Sequence, residues 1–115
     1  MTNLDLVNAY FTAIRNKDAD GLGHLFAPDA QLSTLAGTFT GPDAIASFYR
    51  DLAFTVDDLW PEPGVPLIDN DRIAVEIRLR MHGNVSLVSD FFTFADGKIC
   101  RLVVYNGPPA PEPDS

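Results

Sequence analysis

The chain has 115 residues, a hydrophobic fraction of 46% and a formal net charge of −8. That length suits one domain and the apolar fraction excludes disorder, while an acidic balance without a basic stripe argues against nucleic acid and anionic membranes as partners. A single cysteine, Cys100, excludes an intrachain disulfide or CxxC motif, and neither a leader pattern nor a membrane-length apolar run is visible, so a cytoplasmic domain is expected.

Thr2-Asn3-Leu4-Asp5 reads as a capping box opening a first helix, with Leu6, Val7, Tyr10, Phe11 and Ile14 at helical spacing. Asp18 caps a second, shorter helix carrying Leu22, Leu25 and Phe26, and Pro28 follows its end. Ala30 to Leu35 is a short strand candidate. Gly41-Pro42-Asp43 starts a third helix whose apolar stripe is Ile45, Phe48, Tyr49 and Leu52. Pro61, Pro63, Gly64 and Pro66 permit only loop or edge strand between Phe54 and Pro66. From Leu67 the pattern is a meander of long strands broken by turns. The domain is expected to span residues 1–107, followed by a disordered proline-rich tail over 108–115. Helices followed by a meander imply an α+β fold, with three N-terminal helices packed on a curved antiparallel β-sheet.

Asp90 stands out, a carboxylate inside the apolar strand Val85 to Phe94. The preceding strand alternates, with Ile73, Val75, Ile77, Leu79 and Met81 on one face and Arg72, Glu76, Arg78, Arg80 and His82 on the other. A two-residue Gly83-Asn84 turn of type II′ pairs Leu79 with Val88 and Ile77 with Asp90. Asp90 then lies on the apolar face, where burial favours its neutral form. The next turn leaves two registers open. A two-residue Asp96-Gly97 loop sets Arg101, Val103 and Tyr105 beside Asp90; a three-residue Ala95-Asp96-Gly97 loop sets Cys100, Leu102, Val104 and Asn106 there. The second keeps the apolar face continuous and is the preferred expectation.

The segments Ala9 to Asp18 (AYFTAIRNKD), Leu25 to Ala30 (LFAPDA), Gly41 to Ile45 (GPDAI) with Phe48-Tyr49, and Asp90 to Ile99 (DFFTFADGKI) resemble the nuclear-transport-factor-2-like superfamily, in particular its SnoaL-like and ketosteroid-isomerase-like members. The resemblance covers about Leu4 to Gly107 and implies a cone-shaped fold around a deep apolar pocket, often paired as dimers. It places Asp90 at the position of the protonated aspartic acid of the isomerase oxyanion hole, and Tyr10 at that of its tyrosine partner. The position of the isomerase's general base is occupied here by Thr34, whose hydroxyl cannot abstract a carbon-bound proton at neutral pH. The acid–arginine constellation of the limonene-epoxide-hydrolase branch finds its nearest candidates in Glu76 and Arg78, on the face opposite Asp90.

On this reading Asp90 and Tyr10 are the candidate catalytic pair. Ile14, Phe26, Thr34, Phe48, Leu52, Trp60, Ile77, Leu79, Phe92, Leu102, Val104 and Asn106 are the expected substrate-binding lining. The implied activity is isomerase- or cyclase-type acid/base chemistry on an apolar, carbonyl-bearing cyclic or polyketide-like molecule, with no cofactor and no metal. The alternative is a non-catalytic ligand-binding or dimerisation module, for which Thr34 speaks. His24 and His82 read as solvated, and Asp57-Asp58 as a solvated loop pair. Leu87, Phe91, Val103 and Tyr105 among Arg78, Arg80 and Arg101 form an apolar patch on the outer sheet face, expected to pair two copies into a homodimer.

Overall fold

A computed structural model describes residues 1–111. Helix α1 (Asn3–Arg15) begins at the expected capping box: the Thr2 hydroxyl accepts from the Asp5 amide at 3.1 Å, and the Asp5 carboxylate accepts from the Thr2 amide at 2.9 Å. Helix α2 (Ala19–Gly23) is a single turn and a half capped by Asp18. Strands β1 (Phe26–Thr34) and β2 (Gly37–Thr40) precede helix α3 (Pro42–Asp51) and a 3-10 turn at Ala53–Thr55. Strands β3 (Trp60–Pro63), β4 (Leu67–Asp69), β5 (Arg72–Met81), β6 (Asn84–Ala95) and β7 (Lys98–Pro109) complete the chain.

The fold is α+β, with two corrections to the expected layout. The sheet is mixed, in the order β2-β1-β7-β6-β5-β3 with β4 added to β5, and β1 runs parallel to β7. Nothing in local periodicity reveals which distant strand becomes a neighbour. The helices do not all precede the sheet either, since α3 follows the β1–β2 hairpin. Strand β1 also begins at Phe26, before Pro28; its register against β7 shifts between Phe26 and Gln31, where a residue lacking an amide hydrogen is tolerated. Pro61 and Pro63 sit on the edge strand β3, as their chemistry requires.

The β5–β6 turn is His82-Gly83, with Met81 facing Asn84. Both turn residues have positive φ (54° and 78°), the twist that a two-residue hairpin favours. The expected Gly83-Asn84 turn is therefore wrong by a register of two, and Asp90 faces Val75 rather than Ile77. Asp58 supplies the reason: its carboxylate accepts from the amides of His82 and Gly83 at 2.8 Å each and holds the left-handed pair. Those bonds, Gly83's foremost, draw the Asp58 carboxyl below its usual range. Asp58 is thus a clasp, not half of a solvated loop pair.

The β6–β7 turn combines the two expected registers. Asp96-Gly97 forms a two-residue loop with φ 53° and 76°, and Ala95 faces Lys98. The register then shifts: Phe94 faces Ile99 but Thr93 faces Arg101, leaving Cys100 as an extra, unpaired residue. This β-bulge returns Leu102, Val104 and Asn106 to the face of Asp90.

A second irregularity sets Ser86 against Pro109 and Val88 against Asn106, so Gly107 and Pro108 share the single partner Leu87. The chain stays ordered beyond the expected boundary: Pro108 and Pro109 belong to β7, Ala110 donates to the Val85 carbonyl at 2.9 Å, and Arg78 donates to the Pro111 carbonyl at 3.2 Å. The expected disordered tail is corrected for 108–111, and its remainder, 112–115, lies outside the described residues.

The helices close over the inner face of the sheet. Phe26, Phe92, Phe94, Ile99, Leu102 and Ile73 fill one end of the cone, with Tyr10, Phe11, Phe26 and Phe92 in edge-to-face contacts. At Gly107 a Cβ would lie 2.6 Å from the Leu87 carbonyl oxygen, a backbone atom that cannot swing aside. Gly107→Ala is expected to lower the unfolding free energy by about 1–3 kcal/mol, read from urea melts at neutral pH. An unchanged midpoint would show that β7 is not held against Leu87.

Candidate functional site

Strand alternation carries Val88, Asp90 and Phe92 inward along β6. Phe92 is packed into the filled end, whereas Val88 borders empty space. Asp90 lies between them, at the floor of a cavity of about 250 Å³. Its flanking partners are Val75 on β5 and Val104 on β7. The residue is 3% exposed, and its Oδ1 has no hydrogen-bond partner. Burial alone pushes its carboxyl from the ordinary carboxylate value to about 8, so the acid is mostly neutral at pH 7.

Tyr10 enters from α1 and Tyr49 from α3, both fully enclosed, and their hydroxyls share a short hydrogen bond in which either can donate. The helical spacing of each stripe places one tyrosine over the sheet, and the two rings meet at 80° with centroids 6.1 Å apart. Burial raises the Tyr10 phenol well above its usual value, with Tyr49 and then Asp90 adding to it. Tyr49 is also raised, chiefly by burial, with its bond to Tyr10 opposing and the Asp90 charge contributing least. The floor therefore holds one neutral acid and two neutral phenols, all donors, in apolar surroundings.

Nine of the expected residues line this cavity: Tyr10, Ile14, Thr34, Phe48, Ile77, Leu79, Asp90, Val104 and Asn106. The other five do not. Phe26, Phe92 and Leu102 belong to the filled end of the core, one layer beyond Asp90. Leu52 is exposed because α3 stops at Asp51 and the backbone turns at Leu52 (φ −122°, ψ −70°), handing its place to Ala53. Trp60 is half exposed. Pairing of β3 with β5 sends Pro61 inward and Trp60 outward, where the Arg15 guanidinium lies 5.6 Å from its ring centre. Thr34 uses its oxygen to accept from the Ala36 amide at 3.0 Å, closing the β1–β2 turn. Leu35, 83% exposed, forms part of the mouth with Ala36.

Tyr49 is the important residue that sequence reasoning left in the apolar stripe. A tyrosine at a buried stripe position needs a partner for its hydroxyl, and that requirement was the available signal. Phe11 and Val88 are further lining residues that helical spacing and alternation placed inward without saying which layer stays open, whereas Leu59 and Pro61 come from the segment read only as loop or edge strand. Among the described residues no group of three or more His, Cys, Asp or Glu is placed to hold a metal ion, and no helix is long and apolar enough to cross a membrane.

The raised pKa of Asp90 is also a stability effect. Folded Asp90 keeps its proton where the unfolded chain loses it, so stability is greatest below about pH 4, falls as pH rises towards 8, and levels off above. Between pH 5 and 8 the wild type is expected to lose about 3–4 kcal/mol relative to Asp90→Asn, measured by urea unfolding at pH 5, 6.5 and 8. Parallel pH profiles for the two proteins would mean that Asp90 is already ionised in the folded chain.

Residues 7–102 match the family model of the SnoaL-like domain. No curated protein gives a match. Among solved structures, a protein from Sinorhizobium meliloti provisionally named a polyketide cyclase is 30% identical, with a TM-score of 0.77 over 87% of this chain and 93% of that one. A protein from Kribbella flavida provisionally named a ketosteroid isomerase is 20% identical, with a TM-score of 0.80 over 96% of this chain and 81% of that one. A nuclear-transport-factor-2-like protein of unknown function from Cytophaga hutchinsonii is 15% identical, with a TM-score of 0.81 over 94% and 92%. With the family match spanning most of its length, and with a cone whose open end carries a buried acid, the chain belongs to the SnoaL-like domain family.

Proposed function

We propose that this protein is a cofactor-independent small-molecule enzyme that uses Asp90 and Tyr10 on an uncharged, carbonyl-bearing cyclic or polyketide-like substrate. The observation that carries the reading is the open apolar cavity whose floor is a neutral carboxyl beside a pair of phenols. A non-catalytic relic of the fold would be expected to have that space filled. The family, and the provisional cyclase name of the Sinorhizobium meliloti relative, support the same substrate class.

In this mechanism the substrate oxygen takes hydrogen bonds from the neutral Asp90 carboxyl and the Tyr10 hydroxyl. Both strengthen as negative charge develops on it, in apolar surroundings. Tyr49 bonds the Tyr10 hydroxyl and fixes its direction. Among the described residues no carboxylate stands at Thr34 and no histidine lines the cavity, so Asp90 first gives its proton to the substrate oxygen and the resulting carboxylate takes the proton leaving carbon, directly or through a bridging water. The Thr34 position also favours a second reading, a module that binds such ligands without turning them over.

The two readings part on turnover. Conversion of bicyclic ketones and enones, followed by chromatography, is expected to fall about 10²–10³-fold in Asp90→Asn and to fall in Tyr10→Phe as well. Equal turnover in Asp90→Asn would remove Asp90 from the mechanism, and binding without turnover in the wild type would favour the module. A homodimer through the outer sheet face belongs to the same proposal. Phe91 and Tyr105 are exposed there in an edge contact with ring centres 5.5 Å apart, and a two-fold axis would bury them against their copies. Light scattering of Phe91→Asp should then give half the wild-type mass; a monomeric wild type would dispose of the interface.

A further inference from the structure

Among the described residues, the cavity pairs a lone carboxyl with aromatic walls and has no cationic side chain in its lining. Among the described residues lining it Asp90 is the only charged one, and its Oδ1 is buried without a partner among them. Tyr10, Phe11, Phe48 and Tyr49 line it as well. Neighbouring rings stand nearly at right angles, at 78° for Tyr10 and Phe11 and 76° for Phe48 and Tyr49. The chain's charge of −8 further favours approach of a cation.

We infer that this cavity also binds a small tertiary ammonium with apolar substituents, its N–H donating to the Asp90 carboxylate while the alkyl groups contact the aromatic wall. An ammonium gives the ionised carboxyl the counter-charge that no described side chain of the lining supplies. Aromatic rings attract alkylammonium groups through their negative faces, most strongly where water is excluded. The volume suits one ring with a dimethylamino arm, since about 150 Å³ already accommodates benzene. This ligand class is separate from the carbonyl compounds of the proposed reaction and requires the other protonation state of the same acid.

The proton balance sets the pH dependence. Below the Asp90 pKa an incoming ammonium finds a neutral acid, and one proton must leave to solvent before the ion pair forms. Apparent affinity then rises about tenfold per pH unit up to about pH 8, stays level, and falls once the free amine loses its own proton. The titratable groups facing Asp90 are Tyr10 from α1 and Tyr49 from α3, and burial keeps both neutral throughout this range. Strands β5 and β7 present Val75 and Val104 beside it, β3 contributes Pro61 and β1 contributes Thr34.

Titration calorimetry with N,N-dimethylbenzylamine and its uncharged isostere isobutylbenzene tests the inference on the wild-type protein from pH 6 to 8.5. The amine is expected to bind at least about tenfold tighter than the isostere at pH 8 and to gain affinity with pH, while the isostere gains none. Asp90→Asn, with its fold checked by circular dichroism, should lose both the preference and the pH dependence. Equal binding of amine and isostere in the wild type, or a preference that survives Asp90→Asn, would overturn the inference. A bicyclic ketone such as 1-tetralone titrated alongside separates the outcomes: ketone binding without amine binding rejects the ammonium site and leaves the carbonyl reading standing.

Discussion

The grip of the Asp58 carboxylate on the amides of His82 and Gly83 sets the register of the central hairpin, and the inner face follows from that register. A strand shifted by one residue turns all its side chains over. The clasp fixes Met81 against Asn84, and parity then carries Val88, Asp90, Phe92 and Phe94 into the interior. Had the hairpin loop been one residue longer or shorter, the odd shift would turn Asp90 towards water, where it would behave as an ordinary carboxylate. The chemistry of the floor thus depends on two hydrogen bonds at an exposed turn several residues away.

Asp90 is tolerable where it stands because the cone is filled on one side of it only. Phe92, Leu102, Ile73 and Ile99 pack the closed end, and the aromatic contacts of Tyr10 with Phe11, Phe26 and Phe92 anchor α1 over that layer. One step along the strands the side chains retreat to Val88, Ile77 and Leu79, and space opens. An acid at that boundary is removed from bulk water yet reachable by a ligand. Deeper in the strand it would cost stability to no use; nearer the mouth it would ionise.

Much of this was legible in the residues. Alternation in Ile73 to Met81 named the inner face, and the capping box and Gly41-Pro42-Asp43 named helix starts, because these signals are local. The placement of Asp90 survived a wrong hairpin turn because the error was an even number of residues. Three things were not legible for one shared reason: they depend on contacts between distant segments. The parallel pairing of β1 with β7, the Asp58 clasp and the Tyr10–Tyr49 bond each join residues that no local pattern links. Phe92 and Leu102 were assigned the correct face but the wrong depth, since periodicity of two gives direction and not layer, while Phe26, expected on the second helix, opens β1 instead.

Cys100 deserves a different description from that of a spare residue in a bulge. It acts as a parity corrector: the two-residue Asp96-Gly97 loop alone would have turned Arg101, Val103 and Tyr105 inward, and one inserted residue reverses that. Were Cys100 instead paired with Thr93 and the bulge closed, the inner and outer faces of β7 would exchange as far as Asn106. Arg101 and Tyr105 would then join the cavity, and an arginine near Asp90 would favour a permanently ionised acid. The outer face would receive Leu102 and Val104 in return. Whether one residue pairs or bulges thus separates two cavities of opposite electrostatic character on the same scaffold, so a family built on this hairpin can change chemistry through a strand irregularity as readily as through substitution.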